Sequence, residues 1–248
     1  MKGRCMPPRR HVVSSTRTIV RAGALVWLGI VASWNAVSAQ EGYDPAHSPY
    51  HDIPRGAVWA LSVGRLGGSR GDVGVGPADG LTGALRYEVP FGAVGASLGL
   101  AYARTSRFVQ DYTKDSTSRR SGQLFNDPVV LADAGLQLVL TGRKAWHRFA
   151  PFIGGALGVA IGSVLAQDTS GYRFGTKITL APNAGVRWYP TRRISVRGDV
   201  RLLFWKLHYP LSFKVPNNID HSTILPSTAP YDQWTAHPWA TIGVGWIF

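Results

Sequence analysis

The last ten residues, Trp239-Ala240-Thr241-Ile242-Gly243-Val244-Gly245-Trp246-Ile247-Phe248, constrain the fold more than any other stretch. At every second position, Ala240, Ile242, Val244, Trp246 and Phe248 form a wholly apolar face that finishes in two aromatics. The other face, Thr241, Gly243, Gly245 and Ile247, is mostly small or polar. A helix would repeat its apolar residues at three- and four-residue spacing. A period of two belongs to a strand whose sides meet different surroundings. An edge strand of a soluble sandwich shares that period, so the rest of the chain has to decide.

Seven further segments repeat the rhythm, near 56–66, 80–89, 92–104, 128–141, 148–162, 175–189 and 193–206, before the last begins at about 236. One face of each is bulky and apolar, as in Leu98, Leu100 and Tyr102 or Val196, Val200 and Leu202. The other is small or charged, as in Gly95, Ser97 and Gly99 or Arg197, Asp199 and Arg201. Pro182 interrupts the sixth segment and predicts a bulge or distortion there. The connections alternate: short at 90–91, 142–147 and 190–192, long at 67–79, 105–127, 163–174 and 207–235. Short turns on one side and long loops on the other suit a membrane-spanning barrel with an even strand count. Each segment is long enough to cross hydrocarbon when tilted. Aromatics gather in two girdles, Trp59, Tyr87, Phe91, Trp146, Trp188, Trp246 and Phe248 on the turn side and Tyr102, Phe174, Phe204 and Tyr209 on the loop side. The predicted fold is all-β, an eight-stranded antiparallel up-and-down barrel over 56–248.

The N-terminus predicts export. Residues 1–39 hold six basic residues and no acid, an apolar run from Ala22 to Val37, and the small-residue site Val37-Ser38-Ala39. That is the order of a secretory signal peptide cleaved after Ala39, with Met1 or Met6 as the start. Its removal takes the formal charge from +13 to +7 and removes Cys5, the only cysteine, so disulfide chemistry is excluded. Residues 40–55 read as a polar periplasmic lead-in. Asp44, His47, His51 and Asp52 lie there at no defined metal-site spacing, and no metal or other cofactor is expected.

The terminal strand resembles that of bacterial outer-membrane barrels, in which a C-terminal aromatic with alternating apolar residues serves as the assembly signal. Residues 56–248 together resemble the small eight-stranded families of the OmpA transmembrane-domain, OmpX and OmpW kind. The resemblance implies the outer membrane of a bacterium, contact with its lipid and lipopolysaccharide, delivery by the barrel-assembly machinery through Ala240, Ile242, Val244, Trp246 and Phe248, and a monomer.

Within such a barrel, Arg86, Glu88, Asp133, Arg187, Arg197, Asp199 and Arg201 all fall on the lumen parity. Eight strands leave room for little more than their own side chains. Buried charges must therefore pair, and a plugging network with Gln137, Asn183 and Tyr189 is expected. The function expected is non-enzymatic, in envelope integrity or surface interaction through the loops. A narrow channel or carrier of the OmpW kind is the alternative and requires room above the arginines. A lipid A hydrolase is the third reading: His208, His221, Ser222 and Asp220 are its candidates, but the His-x-Ser order of the deacylase type is absent. Loop residues Arg107, Lys114, Arg119, Arg120 and Lys214 could meet lipopolysaccharide phosphates. Arg70-Gly71-Asp72 matches an adhesion tripeptide too short to count, and no nucleic-acid recognition module is present.

Overall fold

The computed structural model describes residues 48–166, 168 and 170–248. Residues 1–47, with the signal segment, the cleavage after Ala39, and Asp44 and His47, lie outside the described residues. Eight strands make the wall: β1 Val58–Leu66, β2 Ala78–Phe91, β3 Val94–Arg107, β4 Val129–Val139, β5 Phe149–Gly162, β6 Thr176–Trp188, β7 Ile194–His208 and β8 Asp232–Ile247. Each pairs antiparallel with the next, and β8 pairs with β1, so the sheet closes and leaves no edge.

The alternation of bulk decides which way each strand faces. Leu61, Leu81, Leu98, Leu136, Leu157, Ile178, Val200 and Ile242 stand exposed on the outside. Thr82, Arg86, Glu88, Gln137, Asn183, Arg197, Asp199 and Arg201 are buried within. A soluble protein would invert that distribution. An apolar exterior around a polar interior is stable only where hydrocarbon is the outer solvent.

The strands differ from the sequence reading mainly at their ends. β7 runs on to His208 and β8 starts at Asp232, because Lys206↔Trp234 and His208↔Asp232 continue the ladder beyond the apolar positions. Across Ala181 and Pro182 the β6–β7 pairing lapses and then resumes at Phe204↔Leu180 in the same register. The proline therefore interrupts a ladder without inserting a residue. The lead-in is more than a linker: Tyr50–Asp52 forms a short strand on Lys144–Trp146, in the turn between β4 and β5. Phe174 and Tyr209 do not join the loop-side girdle. Both are buried at the barrel mouth, whereas Tyr102 faces outward.

Candidate functional site

The lumen charges form a closed ring. Arg197 pairs with Glu88 and, at 3.0 Å, with Asp199. Asp199 meets Arg201 at 2.9 Å, and Arg201 meets Asp133 at 3.3 Å. Arg86 completes the circuit more loosely, 3.8 Å from Asp133 and 4.0 Å from Glu88. Arg187, the fourth arginine, holds the other oxygen of Glu88 at 2.7 Å. Gln137 Oε1 accepts from Arg187 and Arg197, and the Thr241 hydroxyl donates to Asp199 at 2.7 Å. The Asn183 side chain takes no hydrogen bond in this network, and its Oδ1 is buried without a partner.

Small residues make room for these groups. Asp133 is opposite Gly99 on β3 and Gly158 on β5, and a Cβ on Gly99 would lie 2.8 Å from its carboxylate. Asp199 is opposite Gly185, where a Cβ would meet Phe152 at 2.7 Å. The Phe152 ring carries the guanidinium groups of Arg187 and Arg197 at 4.9 and 4.4 Å, and Trp239 carries that of Arg201 at 5.0 Å. Buried charges cost several kcal/mol each unless paired. The ring together with its aromatic supports is how this interior bears seven.

An aromatic layer fills the lumen on the loop side of the arginines. Trp239 Nε1 donates to Thr82 Oγ1 at 2.8 Å. Trp205 stacks on His237, with centroids 4.0 Å apart, and Phe174 meets Trp205 edge-on. His237 Nδ1 lies 3.2 Å from the Gly67 carbonyl, which can only accept, so Nδ1 carries the proton and Nε2 accepts from the Thr235 hydroxyl. Tyr172, Tyr209 and Phe213 continue the packing into the mouth.

The loops fold onto that layer. Arg107 was expected in an exposed loop. It is 1% exposed, because the inward parity of Ala101, Ala103 and Thr105 on β3 carries on to it. It reaches Asp127 at 2.8 Å and Asp168 at 2.7 Å and lies over the Tyr172 ring. Burial pushes the Asp127 carboxyl above the ordinary carboxylate range, against the pull of Arg107. The loops after β3 and β7 are knitted together: Ser116 N–H donates to Asp220 at 2.9 Å, Asn217 Nδ2 to the Lys114 carbonyl at 3.0 Å, and Arg119 to the Thr223 carbonyl at 2.7 Å. Hydrogen bonds from Ser222, Ser116 and Asn217 hold the Asp220 carboxyl well below its usual range. The adhesion-like tripeptide is tied down, with Arg70 on Asp79 at 2.8 Å and Asp72 on Gln233 at 2.8 Å.

The opposite mouth has its own cover. Ile53 N–H donates to the Arg143 carbonyl at 3.1 Å, and its side chain packs on Val139, Ala145, Ala150, Tyr189 and Ile247. His208, on the outer wall, meets Asp232 at 2.7 Å, and Asp220 and Ser222 bond to each other in the last loop. Among the described residues no serine hydroxyl is hydrogen-bonded to His208 or His221. Parity was the signal that could have found Arg107. The same signal marks Arg65 and Arg104, which face outward.

No family model matches the chain, and no curated protein matches it in sequence. Among solved structures it is similar to Neisserial surface protein A, at 13% identity over 81% of this chain and 98% of that one, TM-score 0.47. It is also similar to the N-terminal β-barrel domain of Pseudomonas aeruginosa OprF, at 11% identity over 80% and 100%, TM-score 0.42. A third is Yersinia pestis Ail in complex with the heparin analogue sucrose octasulfate, at 14% identity over 78% and 99%, TM-score 0.33. The closed ring of eight antiparallel strands is apolar outside and charged within.

Proposed function

We propose that the chain is a non-enzymatic barrel of the bacterial outer membrane, exported by residues 1–39 and cleaved after Ala39. In this reading the alternating Ala240, Ile242, Val244, Trp246 and Phe248 engage the barrel-assembly machinery. The lumen is a structural plug, and the knitted loops act at the cell surface, in envelope integrity or contact with a surface partner. The observation that carries the reading is the stack of two fillings: a ring of paired charges bridging the lumen and, above it, the rings of Trp205, Trp239, His237 and Phe174. A solute path would have to break ion pairs and displace indoles in succession.

Planar-bilayer recording of the refolded mature chain tests this, alongside an Arg197→Ala, Arg201→Ala variant. The expected result is a silent wild type. Steady, discrete openings that change in the variant would mean that the arginines line a path.

A further inference from the structure

Two arginines stand on the outer wall, where a lipid-facing surface has no use for charge. Arg65, near the loop-side end of β1, and Arg104, near that of β3, are both exposed and on the outward parity. Register sets them on either side of one residue: Arg65 is opposite Leu81, and Leu81 is opposite Arg104. Two strand spacings separate their Cα atoms by about 10 Å, a gap that two long guanidinium side chains can close around one anion. Every lumen arginine has a carboxylate, whereas among the described residues neither Arg65 nor Arg104 has an ion-pair or hydrogen-bond partner. A cation on a lipid face is costly at the bilayer midplane and nearly free of penalty near the interface. The pair is therefore tolerable only at headgroup height, where phosphate is found.

The wall directly beneath is dented. The next outward residues in the same register are Val63, Gly83 and Tyr102, then Leu61, Leu85 and Leu100. Gly83 is exposed, and a Cβ built on it would meet nothing within 4 Å. An apolar groove of about 890 Å³ passes over Gly83, lined by these residues and continuing past Ile242 and Val244 of β8. The two cationic groups thus stand one outward position from Val63 and Tyr102, which line this groove.

We infer that Arg65, Arg104 and the groove at Gly83 bind a phosphorylated, acylated glycolipid of the outer leaflet. Its phosphate lies between the two guanidinium groups, and one acyl chain runs down the groove past Val63 and Tyr102. Phosphate and guanidinium suit each other in charge and in hydrogen-bond geometry. The inference rests on the outer-membrane reading above, because the loop-side strand ends then face the lipopolysaccharide leaflet.

The test uses the full mature chain, refolded into nanodiscs that contain rough lipopolysaccharide, then transferred to mild detergent for native mass spectrometry. Folding of every variant is checked by heat-modifiable gel mobility. The wild type should retain one lipopolysaccharide molecule. The Arg65→Gln, Arg104→Gln variant and, independently, dephosphorylated lipopolysaccharide should each lower retention by about tenfold or more, the scale of a lost charge-assisted contact. Gly83→Leu, which fills the groove and keeps the arginines, should lower it as well. Equal retention by the arginine variant would overturn the site. Equal retention of phosphatidylglycerol would overturn the glycolipid assignment, and retention of a second barrel in place of lipid would overturn both. Failure of the wild type to fold into lipopolysaccharide-containing discs would instead count against the outer-membrane reading itself.

Discussion

Arg187 on β6 and Arg197 on β7 are directly opposite each other in the ladder, and both are held by Glu88 from β2. Like charges so placed repel. Here one carboxylate and one shared ring, Phe152, offset the repulsion. Glu88→Gln removes the anion and leaves two buried cations face to face. The variant should lose about 3–5 kcal/mol, the range for breaking a buried pair from one side. Arg187→Gln removes the cation in excess of the three acids and should cost less. Urea unfolding in phospholipid vesicles, followed by tryptophan fluorescence, gives the order, and the reverse order would mean that Glu88 is not the anchor.

Arg107→Met should loosen the cap without unfolding the barrel. The change strands Asp127 and Asp168, both buried beside the guanidinium. The segment between β5 and β6 then loses its tie to β3. Trypsin cleavage after the exposed Arg173 should accelerate by about tenfold or more, as expected when local opening becomes easier. An unchanged digestion rate would show that the aromatic packing alone holds the loop.

Acid should open the contact between the loop after β3 and the loop after β7. The Asp220, Asp111 and Asp115 carboxyls are all held below their ordinary value of 3.8 by hydrogen bonds. A depressed carboxyl adds stability that is fully present above its unfolded pKa and is lost as pH falls through the folded one. The contact should therefore survive at pH 4 and fail in stronger acid, whereas Asp220→Ala should lose it at neutral pH. Hydrogen exchange of peptides covering 114–119 and 216–223, corrected for intrinsic rates, reads both effects. Opening that begins above pH 5 would contradict the assignment.

Ile53→Asp should unseat the turn-side cover. Ile53 packs on Tyr189 and Ile247, and its N–H holds the Arg143 carbonyl. A charge at that position cannot stay in the apolar cluster. Exchange protection at 50–53 and 144–146 should fall together, with the barrel strands unaffected. Loss confined to 50–53 would show that the paired segment stands without the cover.

Much of this molecule is legible in the sequence because a barrel wall has only two faces. Leu98, Leu100 and Tyr102 against Ser97 and Gly99 is enough to assign the sides of β3, and the same logic places Arg197, Asp199 and Arg201 inside. Which charges meet is a different matter. Glu88 reaches Arg187 across the lumen, and that depends on the stagger of the strands, which no single strand encodes. The hairpin beyond Lys206 was hidden because polar residues face outward above the hydrocarbon, as Asp232 and His208 do. Phe174 and Tyr209 were assigned to a girdle by their closeness to strand ends, yet the open mouth offered them more burial than the interface did. Arg107 was lost for the same reason, since near a strand end a loop residue and a lumen residue look alike until the register is known.

In a ring of eight, β2 and β6 stand on opposite sides, so the Glu88–Arg187 pair is a chord across the diameter. Arg201 on β7 to Asp133 on β4 is a second chord at another angle. An empty cylinder yields to lateral squeezing by becoming oval, which shortens one axis and lengthens the other. With crossed chords of paired charge, such flattening strains ion pairs in a medium of low dielectric. The wall therefore behaves as a braced strut, and its circular cross-section should hold as lipid packing and lateral tension change around it.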